Sequence, residues 1–318
     1  MNTAVFRGLP GCAIQRRTTA LAYGLGLILL LSALVGSGRA EGPCPAGSAR
    51  ARHDDPAPPI CLAYGADPLQ FGHLRLPSGR GPHPVAVVIH GGCWLNLFGL
   101  DLMEALSATL TTAGVATWNI EYRRVGNPGG GFPNTLIDVG RAVDTVRVLA
   151  TTYPLDLRRV ITVGHSAGGH LGVWVGARHR LPVGDPLGDL LRGPDPLPLR
   201  AAVPLAGIMN LAAYLDLNAC GAWVDDFMGG TPDAVSTHYA LASPSALLPI
   251  GLDTTLVQGT SDAIVPPELA KNYRKDAQDA GDHHVKIKKI HGADHFAVID
   301  PTSPVWPKVL QVILHALD

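Results

Sequence analysis

A serine flanked by glycines constrains this chain more than any other feature. Gly164-His165-Ser166-Ala167-Gly168-Gly169 follows the β-branched run Val160-Ile161-Thr162-Val163 and precedes a helix-forming segment, residues 170–178. Strand, tight turn and helix in that order set Ser166 at the apex on a strained backbone, with glycines two residues before and after it letting strand and helix approach. The N–H of Ala167 then opens a helix, where unpaired donors and the positive dipole end favour a developing negative charge. Ser166 reads as a nucleophile and Ala167 as an oxyanion donor, against the plainer reading of a structural glycine-rich turn.

The flanking sequence repeats the strand-helix theme. Residues 85–89, 115–120, 201–205, 254–258 and 285–290 are short apolar runs suited to buried parallel strands, and residues 70–76 alternate like a half-buried one. Between them lie helical spacings: Leu102, Leu106 and Leu110 within residues 101–112; Leu136, Val139, Val143, Val146 and Leu149 within 134–153; then 267–280 and 305–317. This alternation implies an α/β fold with a mostly parallel, doubly wound sheet and helices on both faces. Residues 181–199, rich in Pro, Gly and Asp, read as a surface loop. Residues 208–248 break the alternation and read as a small helical insertion over the carboxyl ends of the strands, where open α/β sheets bind ligands. The expected organisation is a leader over residues 1–40, an irregular arm over 41–68, and one α/β domain over 69–318.

The leader has Arg7, Arg16 and Arg17 ahead of an apolar run from Ala20 to Val35, then the small residues Gly38 and Ala40 around Arg39. That run is about 16 residues, short of the ~20 a spanning helix needs, so a signal peptide cleaved after Ala40 is favoured over a permanent anchor. Arg16-Arg17 hints at twin-arginine export, but Thr18-Thr19-Ala20 lacks the bulky apolar residue usual there. Export makes disulfides possible. Without Cys12 four cysteines remain, Cys44, Cys61, Cys93 and Cys220, which allow three connectivities. Cys44 with Cys61 closes a short loop and leaves Cys93 with Cys220, the alternative being free buried thiols. At 47 % apolar and 16 % charged, with a net charge of −1, the chain can bury a large core and shows no sign of nucleic acid as a partner.

A serine hydroxyl needs a base, and the base needs an orienting acid. Of thirteen histidines, His291 and His295 lie in a loop after the last expected strand. His295 is preferred because Gly292-Ala293-Asp294 gives it a flexible loop, whereas His291 directly follows the strand. His90 and His165 read as makers of structural hydrogen bonds. For the acid, Asp262 follows the strand at 254–258, and Asp294 is the rival. Adjacent to His295, Asp294 is poorly placed to reach the far ring nitrogen. The order Ser166, Asp262, His295 is that of one hydrolase class.

With His90-Gly91-Gly92-Cys93-Trp94, these residues resemble the α/β-hydrolase superfamily, and within it esterases of the hormone-sensitive-lipase and bacterial feruloyl-esterase kind and kynurenine formamidases. The likeness covers about residues 69–318. It implies an α/β-hydrolase fold and an oxyanion hole made by the N–H groups of Gly92, Cys93 and Ala167, with Cys93 standing where many relatives have glycine or an aromatic residue. The expectation is an exported serine hydrolase that cleaves carboxylic esters through an acyl-enzyme intermediate. Amide hydrolysis, by an arylformamidase or small serine peptidase, is the alternative, and a non-catalytic binding protein a lesser one. No cofactor or metal is implied: Gly129-Gly130-Gly131 lacks the Lys-Ser/Thr of a phosphate loop, and His283-His284 lacks paired ligands. The expected partner is a small ester or amide, with no stable membrane span in the mature chain. Trp94, Phe98, Tyr122, Phe132, Trp223 and Phe227 fall near the expected mouth, where some would line an apolar pocket.

Overall fold

The structure, a computed structural model, describes Cys44, residues 58–215, Leu217 and residues 219–318. The leader and most of the arm lie outside the described residues. Among the described residues, eight strands form one sheet: β1 (Ile60–Ala63), β2 (Phe71–Arg75), β3 (His83–Ile89), β4 (Ala116–Ile120), β5 (Leu155–His165), β6 (Ala201–Leu205), β7 (Asp253–Gly259) and β8 (Val285–Ile290). Their order is β1-β2-β4-β3-β5-β6-β7-β8. β1, β2 and β4 pair antiparallel and all other neighbours parallel. Parallel pairing needs crossovers, and longer helices supply four of them: α1 (Glu104–Thr112), α2 (Asn134–Leu149), α3 (Ala167–Gly176) and α8 (Pro267–Asp279), while α9 (Trp306–His315) follows the last strand.

The period-two alternation of strands divides the core. Val85, Val87 and Ile89 of β3 face a layer with Leu136, Val139 and Val143 of α2, Leu171 and Trp174 of α3, and Tyr273 of α8. Ala86 and Val88 face the other layer, with Leu106 and Leu110 of α1 and Val309 and Ile313 of α9. The centre of the sheet is thus buried on both faces, which is why β3 and β6 are apolar nearly throughout rather than alternating.

Two stretches differ from the sequence reading. Residues 60–63, inside the expected irregular arm, form the edge strand β1, in register with β2 from Ile60 opposite Leu74 to Ala63 opposite Phe71. A disulfide from Cys61 to Cys44 and a hydrogen bond from the Tyr64 hydroxyl to the carbonyl of Glu121 (2.7 Å) tie it down. The expected loop at 181–199 contains α4 (Pro186–Arg192), started by Asp185, whose carboxylate accepts from the Gly188 N–H at 2.7 Å, and by Pro186 at the first helical position. The described part of 208–248 holds three short helices, α5 (Leu211–Tyr214), α6 (Val224–Met228) and α7 (Ser236–Ala242), and 3-10 turns at Ala219–Trp223 and Pro244–Leu247. At the far edge, β8 exposes Lys286, Lys288 and Lys289.

The turn between β5 and α3 has no spare room. A Cβ at Gly164 would lie 2.1 Å from the carbonyl oxygen of Gly168, and one at Gly168 would lie 2.2 Å from that of Ile89 and 2.4 Å from that of His90. All these obstacles are main chain and cannot rotate away. Gly168→Ala should therefore destabilise the fold by about 3 kcal/mol or more, read as a lowered denaturation midpoint, and a midpoint within error of the native one would contradict this packing.

Candidate active site

Ser166 follows the last residue of β5 with φ 54° and ψ −117°, a left-handed conformation that costs a non-glycine residue about 1–3 kcal/mol. The fold holds it there: its N–H donates to the carbonyl of Leu205 at the end of β6 (2.9 Å), and its own carbonyl accepts from His170 in α3 (3.2 Å). The β7 and β8 loops rise from the same sheet edge and bring Asp262 and His295 together, with 2.8 Å between Asp262 Oδ2 and His295 Nδ1. Both are almost wholly buried. The other oxygen of Asp262 accepts from the N–H groups of Ile264 (2.9 Å) and Val265 (2.8 Å), and Gln258 Nε2 donates to Oδ2 (3.3 Å). These donors hold the carboxylate in one orientation.

The rivals are elsewhere. Asp294 is exposed and accepts from the N–H groups of Phe296 and Ala297, so its carboxylate is spent on its own turn. His291 is exposed. His90 is buried beneath the glycine loop, where its Nδ1–H donates to the carbonyl of Gly91 (2.7 Å) and its Nε2 lies 3.1 Å from Glu121 and 3.0 Å from Arg124. Burial alone would raise the carboxyl pKa of Glu121, but His90 and Arg124 hold it below the ordinary value.

A narrow cleft is lined by Ser166, His295, Gly92, Cys93, His165 and the apolar side chains Phe98, Leu102, Ile264 and Phe296, together with Cys220. Of the six aromatics noted in the sequence only Phe98 reaches it. Trp94, Tyr122 and Phe227 are fully buried, and Phe132 stacks on His238 at 4.2 Å. Leu102 and Phe296 gave no signal of their own: Leu102 sits in a run with core spacing, and Phe296 is marked only by adjacency to His295. Among the described residues no cluster of His, Cys, Asp and Glu could hold a metal ion.

Two of the oxyanion candidates, Gly92 and Cys93, line this cleft, and Ala167 follows Ser166 at the start of α3. Gly92, Cys93 and Trp94 have φ of 106°, 55° and 57°, so three successive residues are left-handed. Gly92 has no room for a side chain, since a Cβ would lie 2.5 Å from Phe98. Among the described residues, the N–H groups of Gly92, Cys93 and Ala167 donate to no protein acceptor.

Residues 74–276 match the family model described as BD-FAE. The chain belongs to the BD-FAE family, an esterase family of the α/β-hydrolase fold. Solved structures agree on the fold. A truncated carbohydrate esterase from gut microbiota superposes with a TM-score of 0.69 at 19 % identity, over 87 % of this chain and 99 % of that one. An esterase of Thermogutta terrifontis, Est2, superposes with a TM-score of 0.65 at 18 % identity, over 82 % and 92 %. The chain is also 30 % identical over 100 residues to the non-reducing polyketide synthase mapC' of Penicillium brevicompactum, which is 30 % of this chain and 5 % of the synthase. It therefore spans a small fraction of that curated relative's length.

In this BD-FAE protein the glycine loop is clamped from both sides. Cys93 is disulfide-bonded to Cys220, with 5.0 Å between their Cα atoms. Trp94 stacks on Phe227 of α6 at 4.8 Å, and its indole N–H donates to His170 Nδ1 (3.3 Å), whose Nε2–H in turn donates to the carbonyl of Ala242 (2.9 Å). The loop, α3 and the short helices at 208–248 are thus one packed unit. A disulfide that closes so long a loop contributes about 2–4 kcal/mol. Cys93→Ala/Cys220→Ala should lower the denaturation midpoint accordingly, and dithiothreitol, which also reduces Cys44–Cys61, should lower the native protein's midpoint by more than the double variant's.

His170 also makes stability depend on pH. Burial holds its imidazole at about 4, down from 6.5, so the unfolded chain takes up the proton first. Stability is complete above pH 6.5 and falls as pH drops through 6.5 toward 4, by an eventual amount of about 3 kcal/mol from this residue. Thermal melts of His170→Gln should show a shallower loss between pH 7 and 4.5 than native melts, and equal slopes would contradict a buried neutral imidazole.

Proposed function

We propose that this protein is an exported serine hydrolase that cleaves carboxylic esters through an acyl-enzyme intermediate. The observation that carries the reading is the 2.8 Å hydrogen bond between buried Asp262 and His295, in a cleft shared with a strained Ser166. With Nδ1–H of His295 donated to Asp262, Nε2 is left as the base. His295 takes the Ser166 proton as Oγ attacks the ester carbonyl carbon. The carbonyl oxygen becomes an oxyanion, held by the N–H groups of Gly92, Cys93 and Ala167. Asp262 stabilises the imidazolium, which passes its proton to the departing alkoxide. Water then attacks the acyl-Ser166 ester, with His295 as base again, and releases the acid and the serine.

The apolar lining of the cleft favours a short acyl group. Est2 of Thermogutta terrifontis holds propionate and butyrate in its solved complexes and is phosphorylated by paraoxon, which supports the same class of chemistry here. Two disulfides suit an oxidising compartment, and with residues 1–40 as a cleaved signal they support export.

Aryl esters of rising acyl length, assayed beside N-formylkynurenine, test the substrate. Acetyl to butyryl esters should give the highest kcat/KM, and faster turnover of the formamide would move the reading to amide chemistry. On the best ester, Ser166→Ala and His295→Ala should each lower kcat by about 10⁴-fold or more, and Asp262→Asn by somewhat less. Near-native turnover by His295→Ala, with loss in His291→Ala, would overturn the assignment of the base.

A further inference from the structure

His165 lines the same cleft and has no part in the chemistry above. It ends β5 and adjoins Ser166 in the chain, and it is 1 % exposed. Its Nε2 lies 3.0 Å from the backbone carbonyl oxygen of His295, and the two imidazole rings are 4.6 Å apart, tilted by 49°. A carbonyl can only accept, so the bond fixes the proton of His165 on Nε2 and leaves Nδ1 a bare acceptor. Nδ1 is buried and has no hydrogen-bond partner. It faces Gly91, where a Cβ would come within 3.0 Å of it.

An unfilled buried acceptor is unfavourable, and an apolar side chain of similar volume would fill the space without that penalty. What the imidazole supplies instead is one N–H aimed at the main chain of residue 295. We propose that His165 is a positioning residue, a strut that sets the main chain of His295 against Ser166 and so fixes the distance between base and nucleophile. The inference rests on the ester-hydrolase reading of those two residues.

The strut is short and direct. One peptide bond joins Ser166 to His165, and one hydrogen bond joins the His165 ring to His295. Asp262 and His165 constrain different things: Asp262 sets the rotation of the His295 ring through Nδ1, and His165 sets where its backbone lies. The second constraint matters because the loop's other ties, the Gly292 N–H to Thr260 Oγ1 (2.9 Å) and the Ser261 N–H to the carbonyl of Ala293 (2.9 Å), fix the residues ahead of the base, whereas His165 holds the main chain of residue 295 itself. Burial, and then the neighbouring His295, keep the imidazole of His165 well below the ordinary histidine range. It therefore stays neutral and does not compete for the proton that His295 carries during turnover.

His165→Leu removes the donor and keeps the bulk, whereas His165→Gln returns an amide N–H near the Nε2 position. With p-nitrophenyl acetate, the leucine variant should lose about 10- to 100-fold in kcat with KM nearly unchanged, the signature of a displaced catalytic group. The glutamine variant should recover most of that loss. Native kcat in the leucine variant, equal losses in both variants, or a loss confined to KM would each overturn the strut. A second measurement needs neither variant nor turnover: ¹⁵N-histidine spectra of the native protein should show His165 as the Nε2–H tautomer, and an Nδ1–H tautomer refutes the inference. A native protein inert on every ester would defeat the hydrolase reading alone, with the tautomer still deciding the strut. A native protein that needs Ser166 but not the His165 donor would defeat the strut alone.

Discussion

The left-handed backbone of Ser166 is stable only because the groups around it leave it nowhere else to go. Gly164 and Gly168 meet main chain to main chain, and Gly168 also lies against the carbonyls that end β3, so strand, turn and helix are locked by contacts that no rotamer change can relieve. The N–H of Ser166 is tied to β6, and its carbonyl to α3. Strain of about 1–3 kcal/mol persists at one residue when its surroundings over-determine it. Here the surroundings are the centre of the parallel sheet, so the serine inherits the rigidity of the core.

The glycine loop has no such sheet beneath it and is held by side chains instead. Three left-handed residues in succession would not persist in an isolated loop. The disulfide from Cys93, the Trp94 contacts with Phe227 and His170, and the buried Glu121, Arg124 and His90 group each pin it to a different element. Donors fixed before a negative charge develops need not reorganise when it does, which is what the proposed chemistry would ask of this loop.

Much of this was legible in the sequence because it depends on local order. Strand runs, helix spacing and the glycine-flanked turn are short-range patterns, and loop position after a strand was enough to single out Asp262 and His295, which lie 2.8 Å apart. What escaped is long-range. β1 is four residues whose strand character comes from pairing with β2, and α4 hides in a composition that reads as loop until Asp185 is recognised as a cap. Trp94 and His170 are 76 residues apart in the chain, and His165 and His295 are 130 apart. No periodicity reports such pairs, and aromatic residues placed near the mouth by segment order turned out mostly to be core.

The two ends of the sheet are finished differently. β8 carries Lys286, Lys288 and Lys289 outward along the open side of the sheet, and β1 is brief and stapled through Cys61 to Cys44. A free strand edge is a template for another chain, and charge or brevity spoils the template. The lysines repel a second copy that approaches edge to edge, and the staple keeps β1 from peeling away to expose the edge of β2. Edges finished in this way make it harder for a second chain to extend the sheet.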